Sequence, residues 1–164
     1  MTNISNTKSF VIKIDFTGIC RMKAGKVMAE ALGHTWDDLE HGYHHESETL
    51  RMEDGRVWRI IYNEDVEAQE YENYQLVDAG CGLSNQLVTP ILDNNKGFIE
   101  LMRVKLALIE AGAFANGTCY TTEISCKEDG SKSTLRMPTT QCYGWDKYIV
   151  NGEPAKNIEE FVEE

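Results

Sequence analysis

Positive charge is scarce in this sequence: 16 Lys and Arg stand against 27 Asp and Glu, leaving a net charge of −11. That balance argues against nonspecific nucleic-acid binding, because phosphates would repel the chain. No segment is basic enough for a membrane surface or a phosphate track. Long apolar runs are also missing, so no transmembrane helix is expected. The N-terminal MTNISNTKSF lacks a basic region followed by an apolar stretch and does not read as a signal peptide. The five cysteines (Cys20, Cys81, Cys119, Cys126, Cys142) include no CxxC and no metal-ligand spacing. Reduced thiols in a cytoplasm are the simpler expectation than a disulfide framework. Neither a GxxxxGK[ST] phosphate loop nor a GxSxG nucleophile elbow occurs. There is no internal repeat, low-complexity tract or linker.

What is present suits one domain spanning 1–164, since 164 residues with 41% hydrophobic content can bury a real core. Phe10, Ile12, Ile14 and Phe16 alternate with Val11, Lys13 and Asp15, which predicts a strand. Ala24, Val27, Met28, Ala31 and Leu32 recur at helical spacing within 21–32, and Gly33 can close that helix. Residues 34–46 read as an irregular connection. SETLRM and RVWRIIY flank Glu53-Asp54-Gly55 and predict a hairpin. The acidic stretch 63–72 reads as exposed loop or short helix. Residues 74–77 and 83–88 are candidate strands, and Pro90 marks either the end of pairing or an edge.

A strongly apolar helix follows, capped by Asn94 or Asn95 and ending at Gly112; its narrow polar stripe predicts cover on more than one side. Residues 118–125 and 133–137 suggest a second hairpin around KEDGSK. Residues 145–150 suggest a strand, and Pro154 suits the first turn of a short terminal helix. Hairpins with two main helices imply an α+β fold, a mostly antiparallel sheet with both helices packed on one face.

Several runs resemble the amidoligase family, carboxylate–amine ligases of the glutamine synthetase superfamily. Val11-Ile12-Lys13-Ile14-Asp15-Phe16 is similar to the family's first strand, G-[VI]-E-[IVL]-E-F. Gly55-Arg56-Val57-Trp58-Arg59 is similar to its G-R-x-W-K hairpin strand, and Gln86-Leu87-Val88-Thr89-Pro90-Ile91-Leu92 to its E-[LIV]-[VI]-[ST]-P-[IVL]-L. The run from Ala111 to Ile124 is similar to A-G-A-x-[VT]-N-x-[ST]-C-G-x-H-x-H. The resemblance covers about 8–125, leaving a C-terminal hairpin and short helix over 126–164. It also implies that the family domain runs on past this length, so later nucleotide-binding elements are expected to be absent.

Such ligases hold ATP and a divalent metal, magnesium for instance, on acidic strand residues while a carboxylate is activated for attack by an amine. The resemblance places Lys13 at the first acid, Asp15 at the second, Gln86 at the third, and Thr122 and Ile124 at the two histidines. Lys13 and Asp15 lie within about 7 Å along one strand face, and the lysine ammonium could replace the metal's charge. A solvated pair is the equal alternative. Gln86 brings hydrogen bonds without charge, and Ile124 cannot coordinate. Glu123 faces the other way in a regular strand. Arg59 keeps a positive position that could grip a carboxylate or phosphate, or join an ion pair.

Elsewhere, His41, His44 and His45, ringed by Asp37, Asp38, Glu40 and Glu46, form the one metal-like cluster and could take zinc or nickel. Adventitious surface binding is the simpler reading. Cys119 reads as a buried structural thiol, and Trp36, Trp58 and Trp145 as packing residues. The favoured expectation is a catalytically degenerate amidoligase-like domain, needing no cofactor, that acts as a protein-binding or inhibitory module on a basic partner. The alternative is a surviving ATP-dependent ligase with a divergent metal site.

Overall fold

In the computed structural model the described residues are 9–142, with the backbone of 7–8, 149–150 and 153–154. Strand β1 (Thr7–Phe16) fulfils its alternation: Phe10, Ile12, Ile14 and Phe16 are all buried. Removing each of these side chains from water contributes about 1.5–3 kcal/mol. Helix α1 (Arg21–Ala31) follows, and Gly33 beyond it takes φ 82°. Next come β2 (Leu39–His41), β3 (Ser47–Arg51) and β4 (Val57–Tyr62), where Gly55 takes φ 91° in the intervening turn. Both glycines occupy left-handed backbone that a Cβ would strain. The expected irregular connection at 34–46 therefore contains a short strand; Leu39, buried against Leu50, is the residue that makes it one.

Strands β5 (Gln69–Glu72) and β6 (Gln75–Asp78) form their own two-stranded sheet, so the stretch expected to be loop or helix ends as a hairpin arm. Strand β7 (Asn85–Val88), helix α2 (Lys96–Glu110), β8 (Tyr120–Lys127) and β9 (Lys132–Pro138) complete the main body. The main sheet has seven strands in the order β2-β3-β4-β7-β1-β8-β9, and each neighbouring pair is antiparallel. The fold is α+β, as the hairpin pattern predicts. No helix among the described residues is long and apolar enough to cross a membrane.

One face of the sheet builds the core. Leu50, Trp58, Ile60, Leu87, Ile12 and Ile14 point the same way and pack with Ala24 and Met28 of α1 and Leu101, Val104 and Leu108 of α2. Met102 lies on a second flank of α2 with Phe98, Leu106 and Ile109, in agreement with its narrow polar stripe.

Two local expectations hold in part and one is overturned. Strand β7 ends at Val88, two residues before Pro90, as the first of the two alternatives had it, but it is central and not an edge: the Ile12 N–H donates to Thr89 Oγ1, and an isolated bridge joins Phe10 to Leu92. The hydroxyl of Thr89 thus satisfies a donor beside a residue that breaks the ladder. Asn95, one of the two expected candidates, is the N-cap residue of α2, but its side chain makes no capping bond; Asp93 Oδ1 instead accepts from the N–H groups of Asn95 and Gly97 at 2.9 Å each. Pro154 lies in a short pair, β10 (Ile149–Val150) with β11 (Glu153–Pro154), not in a helical turn. The rest of the expected terminal helix and Trp145 fall outside the described residues.

Candidate functional site

The face opposite the helices is where the register gathers the sequence-selected residues. Thr49, Arg59, Val88, Lys13, Thr122 and Arg136 stand in one transverse row across six strands. The next row sets Ser47, Ile61, Gln86 and Asp15 side by side. Ile124 lies opposite Val11, one step further along the same face. Period-two alternation puts all of these on one side, because each register partner differs by an even number of positions. Glu123 is on the other side, opposite Ile12. A cavity of about 600 Å³ opens on this face, bordered by Asp15, Asn63, Gln86, Thr118, Thr122 and Arg136 among others.

Asp15 is the centre of the arrangement. It is 4% exposed, and both carboxylate oxygens are engaged. Oδ1 accepts from the amides of Asn63 and Gln86, each at 2.9 Å, and Oδ2 accepts from the Tyr120 backbone N–H at 3.0 Å. Three N–H donors are what a buried carboxylate needs to offset lost hydration. Lys13 is exposed, and no ion pair joins it to Asp15 among the described residues. The suggested lysine–aspartate pairing is thus replaced by neutral amide donors. The reason is geometric: the short Asp15 side chain reaches its strand neighbour Gln86 and the chain leaving β4, while the longer Lys13 extends into water.

Arg59 is exposed, and Thr122 and Ile124 are half-buried. Arg136 was not singled out by the sequence; its guanidinium lies 4.0 Å from the Tyr120 ring centroid at the cavity rim. Asn63 was also missed. It follows β4, 48 residues from Asp15, and nothing in its sequence neighbourhood announces the contact. Just beyond, Asn116 explains the N-G-T-C run: Oδ1 accepts from the N–H and hydroxyl of Thr118 and from the Cys119 thiol. Burial pushes the Cys119 thiol up to about 11, opposed by the Asn116 hydrogen bond and aided by the nearby charge of Asp15. A thiol so high is not an activated nucleophile at neutral pH.

As a donor set for magnesium this cluster fits poorly. Magnesium favours carboxylate oxygens in octahedral order; Asp65 also borders the cavity, but the groups in contact with Asp15 are two amides already turned with their N–H groups toward it. A cation entering between them would meet the positive ends of both amides.

The histidines form a separate group on the helix-covered side. His41 and His45 each direct Nδ1 at the carboxylate of Glu48, the latter at 2.9 Å. Glu48 is fully buried. His44 is not part of the group and stacks edgewise on Tyr43 instead. Asp37, Asp38, Glu40 and Glu46 are likewise outside it. Glu48 was legible in principle: it shares parity with the inward-facing Leu50, and a charge on an apolar face is a signal. Trp36 packs on the His41 ring and Trp58 is fully buried, as expected for packing residues.

The family described as "Putative amidoligase enzyme" matches residues 7–126. No curated protein and no solved structure matches the chain. The matched span takes in β1 through all but the last residue of β8, and so the central carboxylate Asp15 and every strand of the open face except β9. The chain therefore belongs to the amidoligase family.

Proposed function

We propose that this chain is a catalytically degenerate member of that family, acting by binding a basic protein partner instead of joining a carboxylate to an amine. The observation that carries the first half is the environment of Asp15. Its charge is met by Asn63, Gln86 and the Tyr120 N–H, so no magnesium is required to hold the site together. Without a metal to bridge ATP phosphates, acyl-phosphate chemistry loses its main source of charge neutralisation.

The second half rests on where the acidity is displayed. Residues 60–95 contain no Lys or Arg but carry Glu64, Asp65, Glu67, Glu70, Glu72, Asp78 and Asp93. Most of these border the β5–β6 arm, whose outer side exposes Tyr74 completely, Tyr71 by 65% and Leu76 by 46%. Its base is pinned to the body: Thr17 Oγ1 donates to the Gln69 carbonyl and accepts from the Gln69 N–H, and Asn116 donates to the Glu67 carbonyl. An anchored arm with acids around exposed aromatic rings suits lysine- and arginine-rich segments through charge and cation–π contact. A partner held there would be inhibited if its own basic surface is what it works with.

The test is titration of an Arg/Lys-rich peptide into the wild type and a Glu70→Lys, Glu72→Lys variant. Binding that weakens as salt rises, and that the double reversal abolishes, supports the reading. Binding indifferent to salt and to the reversal sinks it. The ligase alternative has one observation in its favour, the buried carboxylate at a cavity of about 600 Å³. Formation of ADP from ATP with magnesium, a carboxylate and an amine would establish it.

A further inference from the structure

We propose that His41, His45 and Glu48 form a three-ligand site for a divalent transition metal, zinc in the first place. This inference does not depend on the proposed function, since Glu48 lies on the core side of the sheet and Asp15 on the open side. The ligand atoms of the three side chains all fall within 4.8 Å of one another. They come from three separate pieces of chain: the last residue of β2, the turn at 43–45 and the second residue of β3. Strand register brings two of them together, because His41 is the direct cross-strand partner of Glu48.

Each ligand is held by a neighbour. Glu48 is 0% exposed, and α1 presses on it at Gly25, where an added Cβ would lie 2.7 Å from the Glu48 Cβ. The His41 ring rests on Trp36 with centroids 4.2 Å apart. His45 sits in left-handed backbone (φ 56°) directly after His44 (φ 51°), and its carbonyl accepts from Arg21 Nε at 2.8 Å. Two consecutive non-glycine residues in that region cost on the order of 1–3 kcal/mol each. The turn's strain is what brings the His45 ring onto a carboxylate that the helix has already fixed.

The chemistry of the set selects the ion. Two imidazole nitrogens and one carboxylate favour zinc or its neighbours over magnesium and calcium, which prefer all-oxygen cages. Three protein ligands leave a fourth tetrahedral position for water. Without metal, both imidazoles hydrogen-bond the carboxylate through Nδ1. With metal, each Nδ1 lone pair would face the ion and each ring proton would sit on Nε2. The imidazoles would have to part slightly, and their side-chain exposures of 29% and 41% leave room for it.

Calorimetric titration of zinc into the full, chelator-stripped chain tests the proposal, with cobalt absorption as a second readout. One zinc per chain is expected, bound at micromolar concentration or tighter and more weakly in acid, where protonated imidazole cannot ligate. Zinc should also raise the wild-type melting temperature. His41→Ala and His45→Ala should each lower affinity by at least about tenfold, whereas His44→Gly, which relieves local strain, should leave it intact. No heat and no thermal shift with the wild type would overturn the site. Equal affinity in His41→Ala and His45→Ala would overturn it too, showing that zinc binds elsewhere.

Discussion

Restoring one acid on the open face should make folding depend on pH and on magnesium. In Gln86→Glu the Nε2 that donates to Asp15 Oδ1 at 2.9 Å becomes a second carboxylate oxygen. If the two groups relax to about 4 Å, unit charges at an effective dielectric near 20 repel by about 4 kcal/mol. Protonation sets a ceiling: holding a glutamic acid neutral from about pH 4.3 up to pH 7 costs about 3.7 kcal/mol. A loss of roughly 2–4 kcal/mol at pH 7 follows, or a fall in Tm of about 4–16 °C for a domain of this size. The sign is fixed by linkage. The introduced acid has a folded pKa above its unfolded one, so the destabilisation is complete above the folded value and vanishes below the unfolded value. Urea unfolding of variant and wild type from pH 4 to 8 measures the difference. Magnesium should recover part of it in the variant and none in the wild type. A Gln86→Glu protein as stable as wild type at pH 7, with no magnesium response, would refute the claim that neutral amide donors satisfy the Asp15 carboxylate.

Three further outcomes follow from the geometry. Iodoacetamide at pH 8 should modify the exposed Cys20 and Cys81 of the native protein and reach Cys119 only on unfolding, because that thiol is buried and pushed up to about 11. Native labelling of Cys119 at the rate of Cys20, read by mass spectrometry, would contradict this. Glu100→Gln should cost about 1–2 kcal/mol in urea unfolding, since Glu100 on α2 meets the Arg56 guanidinium at 2.6 and 3.0 Å and the pair is partly exposed; an unchanged midpoint would deny that this pair fastens the β3–β4 turn to α2. Asp93→Ala should cost about 1 kcal/mol at pH 7. The N–H groups of Gly97 and Asn95 hold the Asp93 carboxyl below its ordinary range, so its stabilisation is present above about pH 4 and lost as pH falls through the lower folded value. The difference between variant and wild type should therefore close in acid, and one that persists there would be wrong for a charged cap.

Much of the fold was readable because alternation and helical spacing survive in the elements that touch the core. Phe10 to Phe16 announce β1, and the turn glycines announce both long hairpins. Where burial is one residue deep, as for Leu39 in β2, the pattern is too short to see. The arm at 69–78 was ambiguous because it buries little, so no apolar period marks it. The candidate site was legible only as positions within a family pattern. Parity placed Lys13 and Asp15 on one face of their strand, but whether Arg59, Gln86 and Thr122 join them depends on register between strands, which parity does not supply. Asn63 reaches Asp15 through tertiary placement alone, and the Tyr120 N–H belongs to the backbone and has no residue signature at all. Of the expected histidine cluster only His41 and His45 belong to the group, and its centre, Glu48, shows in the sequence only as a charge at a core-facing position.

The proposed function requires that the open face not work as a metal–nucleotide site. Isothermal titration of magnesium-ATP into the full chain tests it most directly. No saturable heat at millimolar nucleotide, with the melting temperature unmoved, is expected from a carboxylate already satisfied by amides. Stoichiometric binding that depends on magnesium and is lost in Asp15→Asn would contradict it.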